Sequence, residues 1–168
     1  MTRYWAEIVK TTGAHKLDPL LVEAIVVQES QGNADYFRFE RDFWNRYLKL
    51  LPAYVGANPR RVSAAYGLMG VMYPTALEVG YKTEVPPEML FCPEIGLEYG
   101  CRQLRRLVDW ADSGYPQVGA ESRRLAVLAS YSGGRGGNTP GTPLRPAGRV
   151  YALSTLAHLD TLRRERGM

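Results

Sequence analysis

A chain of 168 residues is long enough to bury roughly 70% of its unfolded surface, so a single domain with an ordinary core over residues 1–168 is expected. A hydrophobic share of 45% and a charged share of 23% exclude a disordered or fibrous chain, and two cysteines exclude a disulfide framework. A net charge of +4 favours acidic partners without choosing among nucleic acid, anionic membrane and cell wall, while no apolar run reaches the roughly 18 residues of a membrane span.

At the start, MTRYWAEIVK has no basic region followed by an uninterrupted apolar stretch, so no secretory signal is read there. The first clear helix opens with Asp18 as cap and Pro19 in the first turn, runs through LLVEAIVVQES and stops at Gly32. Residues advance about 100° each along it, so Leu21, Val22, Ile25 and Val26 form one stripe with Glu29 near its centre, facing the core. Glu23 points to the solvent side. Burying an ionised carboxylate without a partner raises its pKa, and a carboxyl kept protonated is what a general acid requires. A carboxylate near a helix end also serves as an ion-pair partner or a cap, so the helix alone does not decide the role of Glu29.

A second segment, Glu40 to Leu51, ends before Pro52; the surrounding YFRFERDFWNRY serves either as a sugar-stacking wall or as core. Ala53 to Tyr73 is less regular, with room for a short two- or three-stranded element. Thr75 to Val79 reads as a short helix. Pro93 and Glu94 open a long one, in which Leu97, Cys101, Leu104 and Val108 form the apolar stripe; Cys101 is expected to be a buried free thiol rather than bridged to Cys92. A helix follows from Ser122 to about Ser130, then a loop, SGGRGGNTPGTPLRP, which lacks the lysine and strand-to-helix context of a phosphate loop. A last helix carrying Val150, Leu153 and Ala157 closes the chain, and Arg163, Arg164 and Arg166 read as its solvated end. His15 and His158 are isolated, so neither a metal site nor a cofactor is expected.

Four blocks then stand in order: Glu29 and Ser30 ending a helix; Ser63 followed by AAYGLMGVMYPTA over residues 64–76; CPEIGLEYG from Cys92; and SYSGG from Ser130. Together they resemble the soluble, lysozyme-like lytic transglycosylases, in particular the short forms encoded by bacteriophages. The departures are Gly70 where the family has glutamine, Ser132 where it has asparagine, and a proline displaced to Pro74. The resemblance implies a mainly α, lysozyme-like fold with at most a small β element. It implies cleavage of the MurNAc-GlcNAc bond of peptidoglycan by one carboxyl, Glu29, acting as acid and then base, which leaves 1,6-anhydro-MurNAc ends. It further implies that Tyr131 lies beside Glu29 and orients it or the substrate, that Ser63 contacts the N-acetyl group, and that Gly67, Met69 and Met72 line the substrate groove.

The partner expected is therefore the peptidoglycan glycan strand and not nucleic acid, with the protein a phage-encoded monomer acting on the cell wall. Two rivals remain at this stage: a hydrolytic muramidase with Glu40 or Asp35 as second carboxylate, and a glycan-binding virion subunit that does not cut.

Overall fold

The computed structural model describes residues 2–167. It is mainly α with one small sheet. Helix α1 (Trp5–His15) precedes α2 (Pro19–Ser30), whose start follows from its sequence: Asp18 Oδ1 accepts a hydrogen bond from Leu20 N at 2.9 Å, and Pro19 sits in the first turn, where no N–H is needed. Strand β1 (Phe37–Phe39) leads into a turn of helix, α3 (Arg41–Phe43), continued by a π-helical turn over Trp44–Leu48. A 3-10 turn (Pro52–Tyr54) and α4 (Pro59–Val62) come before the hairpin of β2 (Ala64–Tyr66) and β3 (Val71–Met72). The sheet is antiparallel in the order β1-β2-β3, with Phe37 opposite Tyr66 and Ala65 opposite Met72. Then come α5 (Tyr73–Glu78), a 3-10 turn (Pro87–Phe91), α6 (Pro93–Gly114), α7 (Ala120–Gly133) and α8 (Pro146–Glu165). Among the described residues no helix is long and apolar enough to cross a membrane.

The sequence reading misses α1 and β1, while the hairpin falls in the irregular stretch that had room for it. Cys101 is fully buried and free, burial pushes its thiol up to about 12, and Cys92 is also free.

α2 is the central helix. Val22, Ile25 and Val26 are fully buried in the main core with Leu68, Leu97, Leu104 and Leu128, while Leu20 and Ala24, on another face, pack against Leu159 and Leu162 of α8. A helix covered on two faces has no solvent side, which overturns the expectation for Glu23. Its side chain is fully buried, accepts from Thr2 N at 2.7 Å and pairs with Arg166, whose guanidinium lies 3.4 Å from the Trp5 ring centroid. Arg166 is therefore a clasp holding both ends of the chain to α2, not a solvated helix end. Removing one partner of a buried pair leaves the other charge uncompensated. Arg166→Ala is expected to cost about 3 kcal/mol, lowering Tm by about 10 °C, with Glu23→Gln in the same background recovering much of it; an unchanged melting curve would contradict the clasp.

α8 also differs from a simple apolar stripe. Val150, Leu153 and Ala157 face solvent, while Gly148, Ala152, Thr155 and Leu159 face inward. At the start of α8 the inward residues are small because the helices come close: a Cβ on Gly148 would stand 3.0 Å from Ala129 Cβ on α7.

Candidate active site

Glu29 is the penultimate residue of α2, half-buried in the wall of a cleft of about 490 Å³. One side of the cleft is helical, with Gln103 of α6, Tyr131 of α7 and Tyr151 of α8; the other is formed by Arg38, Phe43, Tyr47 and Met72 around the sheet. Tyr151 Oη donates to Glu29 Oε1 at 2.6 Å. Among the described residues no side chain or backbone group donates to Oε2, which lies against Gly70.

Burial raises the pKa of Glu29; the Tyr151 hydrogen bond and the nearby Arg38 guanidinium pull it back, and Glu40 adds a smaller push upward. The negative end of the α2 dipole acts in the same upward direction. Tyr151 stays a neutral donor, since burial and the adjacent carboxyl hold its phenol far above the usual range.

The Glu29-Ser30 pair acquires a physical reason here. Ser30 Oγ is buried and lies 3.0 Å from Val26 O and 2.8 Å from Leu68 O, so it pins the end of α2 to the turn between β2 and β3. Tyr131 Oη donates to Met69 O at 3.0 Å, and Gly70 N to Gly67 O at 3.1 Å. Two consecutive carbonyls of the turn are thus latched, which places Gly70 beside Glu29. Gly70 has φ +58°, and a Cβ there would lie 2.5 Å from Glu29 Oε2 and 3.3 Å from its Cβ. Only glycine fits both the backbone and the space. The departure from glutamine at this position and the placement of the Glu29 carboxyl are therefore one feature: a side chain at 70 would need the volume that the carboxyl occupies.

Of the residues expected at the site, Glu29, Met72 and Tyr131 line the cleft together. Tyr131 does not orient Glu29 directly; Tyr151 does, and Tyr131 holds the turn. Ser63 is not on the cleft wall: fully buried, it donates Oγ to Glu40 O at 2.9 Å, tying the end of β1 to the start of β2. Met69 is buried in the main core, and Gly67, at φ +68°, packs against the carbonyl of Leu90 rather than opening to the cleft. Ser132 lines the cleft with its Oγ donated back to Ala129 O at 3.2 Å. Asp35 is exposed and off the cleft, whereas Glu40 lines it and is ion-paired to Arg38.

Tyr151 and Arg38 were missed. Tyr151 is separated from Glu29 by 122 positions, and its one local signal is a large hydroxyl-bearing ring among small inward neighbours, Gly148, Ala152 and Thr155.

The sequence profile of the transglycosylase SLT domain matches residues 7–140. No curated protein matches the sequence. Among solved structures, an inactive mutant of the lytic transglycosylase Slt from Pseudomonas aeruginosa is similar in fold at a TM-score of 0.66 and 18% identity, over 98% of this chain and 24% of that one. The chain thus spans about a quarter of the length of that enzyme, and the architecture is the lysozyme-like one expected. With the profile running from α1 to the loop beyond α7, and so across the cleft that holds Glu29, the chain belongs to the transglycosylase SLT domain family.

Proposed function

We propose that this chain is a peptidoglycan lytic transglycosylase that uses Glu29 as its single acid and base on the cell wall. The observation that carries the reading is the state of the charges in the cleft. Glu29 is held toward its neutral form by burial, with Oε1 fixed by Tyr151 and Oε2 without a protein partner, while the other two carboxylates of the wall, Glu40 and Glu78, are paired with Arg38 and Arg106. Among the described residues of the wall, Glu29 is the one carboxyl without an ion-pair partner, and no second unpaired carboxylate stands ready as a nucleophile or as a base for water.

The chemistry follows from that inventory. Glu29 gives its proton to the oxygen bridging MurNAc to GlcNAc; the C1–O bond breaks with its electron pair going to that oxygen, leaving an oxocarbenium-like centre. The carboxylate so formed takes the proton of the muramic 6-hydroxyl, and the 6-oxygen closes on C1 as a 1,6-anhydro ring. Glu29 ends protonated, ready for the next cycle, and no water is consumed. The cost of an ionised carboxylate in this partly desolvated wall is what makes Glu29 an effective donor, and the Tyr151 hydroxyl keeps that cost from becoming prohibitive by stabilising the anion between the two steps.

Purified sacculi test the reading: wild-type protein should clear a suspension and release soluble glycan fragments. A protein that only binds strands would sediment with the sacculi and leave the turbidity unchanged. A pH dependence follows with its sign. Activity that needs protonated Glu29 is lost as pH rises through its elevated pKa, and because the Tyr151 hydrogen bond lowers that pKa, Tyr151→Phe should move the alkaline limb of kcat/KM to higher pH while reducing kcat. A limb that moves to lower pH would contradict the assignment.

A further inference from the structure

Among the described residues six charged side chains line the cleft: Glu29, Arg38, Glu40, Glu78, Arg106 and Arg135. Four of them cancel in pairs, Arg38 with Glu40 and Arg106 with Glu78, the latter at 2.8 Å. Arg135 is left over. It stands on the glycine-flanked loop after α7, exposed, with no carboxylate within ion-pair distance among the described residues, and its guanidinium carbon lies 5.7 Å from the centroid of the Trp110 ring of α6. Stacking on an aromatic face limits the guanidinium's freedom while leaving its edge free to donate, so less order is lost when an anion binds. Arg135 is thus a partly oriented positive charge of the cleft with no ion-pair partner among the described residues, and it stands on the α6–α7 side rather than with the sheet.

The sugar backbone of peptidoglycan offers that charge nothing, because its hydroxyl and acetamido groups are neutral and the lactyl carboxyl is spent in the amide to the stem peptide. The anions of the polymer are the free carboxylates of the stem peptides. We propose that Arg135 is a specificity residue that binds a stem-peptide carboxylate, so that the enzyme selects strands carrying peptides with free carboxyl groups. The proposal rests on the peptidoglycan reading above and adds to it which part of the polymer the loop recognises. A guanidinium facing a carboxylate forms two parallel charge-assisted hydrogen bonds, a geometry that a neutral amide cannot reproduce.

The test uses sacculi freed of phosphate-bearing wall polymers, either native or with their carboxylates converted to methylamides. Wild-type kcat/KM is expected to fall about tenfold on the blocked material, and Arg135→Gln to fall about tenfold on native sacculi with no further loss on blocked ones. An Arg135→Gln variant with wild-type kcat/KM on native sacculi overturns the proposal. So does a loss that is equally large on blocked sacculi, since Arg135 would then act on the loop and not on a carboxylate. Co-sedimentation separates this from the catalytic reading: Glu29→Gln should bind native sacculi about tenfold more tightly than Glu29→Gln combined with Arg135→Gln, and the two should bind blocked sacculi equally. If wild-type protein cuts nothing, the catalytic reading fails while this comparison still decides Arg135; equal binding by the two proteins to native sacculi, or binding by neither, overturns it.

Discussion

Gly70→Ala is expected to lower kcat/KM at least about a hundredfold while leaving the protein folded. The added Cβ would lie 2.5 Å from Glu29 Oε2, far inside contact distance, and the neighbouring atom belongs to the reacting carboxyl itself. Relief by turning Glu29 away breaks its 2.6 Å bond to Tyr151; relief by moving the turn strains the latches from Ser30 to Leu68 O and from Tyr131 to Met69 O. Either route displaces the acid from the cleft geometry, and misplacement of a reacting group by about 1 Å is enough for a hundredfold loss. The folding penalty is smaller: alanine at φ +58° costs about 1–2 kcal/mol, so Tm should fall only by about 3–6 °C. Measuring kcat/KM and Tm on the same preparation separates the two effects, and an alanine variant of wild-type rate would show that the Glu29–Gly70 contact has no part in catalysis.

Glu29→Gln should reduce turnover on sacculi by about a thousandfold or more, because the same carboxyl is asked to supply both the acid and the base step and each is worth about 10² to 10⁴. The fold should not suffer. Glutamine keeps an oxygen to accept from Tyr151 Oη, and it removes the cost of holding an ionisable carboxyl in a partly dry wall, so Tm should hold or rise. A variant that retained a tenth of the wild-type rate would shift attention to Glu40, freed from Arg38, and to hydrolysis.

The elements that could be read from sequence were those whose signals are local. Asp18 with Pro19 starts α2, Pro93 with Glu94 starts α6, and Cys101 falls on a stripe that is indeed buried. That Glu29 belongs on the cleft wall was also legible, though through the company of four spaced motifs rather than through its helix. Periodicity misled wherever partners come from more than one side. Glu23 is inward because Thr2, Trp5 and Arg166 close over the face that a two-sided stripe argument assigns to water. On α8 the large residues Val150 and Leu153 point out, because close packing in its first half admits glycine, alanine and threonine at positions 148, 152 and 155, and small residues leave a weak hydrophobic trace; leucines turn inward only further on, at Leu159 and Leu162.

The site shows the same division. Ser63 matches a motif, yet its hydroxyl is consumed in joining β1 to β2, and Met69 is core; a motif marks a position in the fold and leaves open which way the side chain turns. Tyr151 and Arg135 carry no motif. They reach the cleft because α8 returns across α2 and because the loop after α7 passes Trp110, and both facts belong to tertiary packing.

The mass of the fragments that wild-type protein releases from peptidoglycan tests the single-carboxyl account most directly. Fragments ending in anhydro-muramic acid, each lighter by one water than the hydrolysed fragment and absent when Glu29 is replaced by glutamine, are the result the account predicts. Reducing-end fragments that carry the extra water, with oxygen taken from labelled solvent, would contradict it.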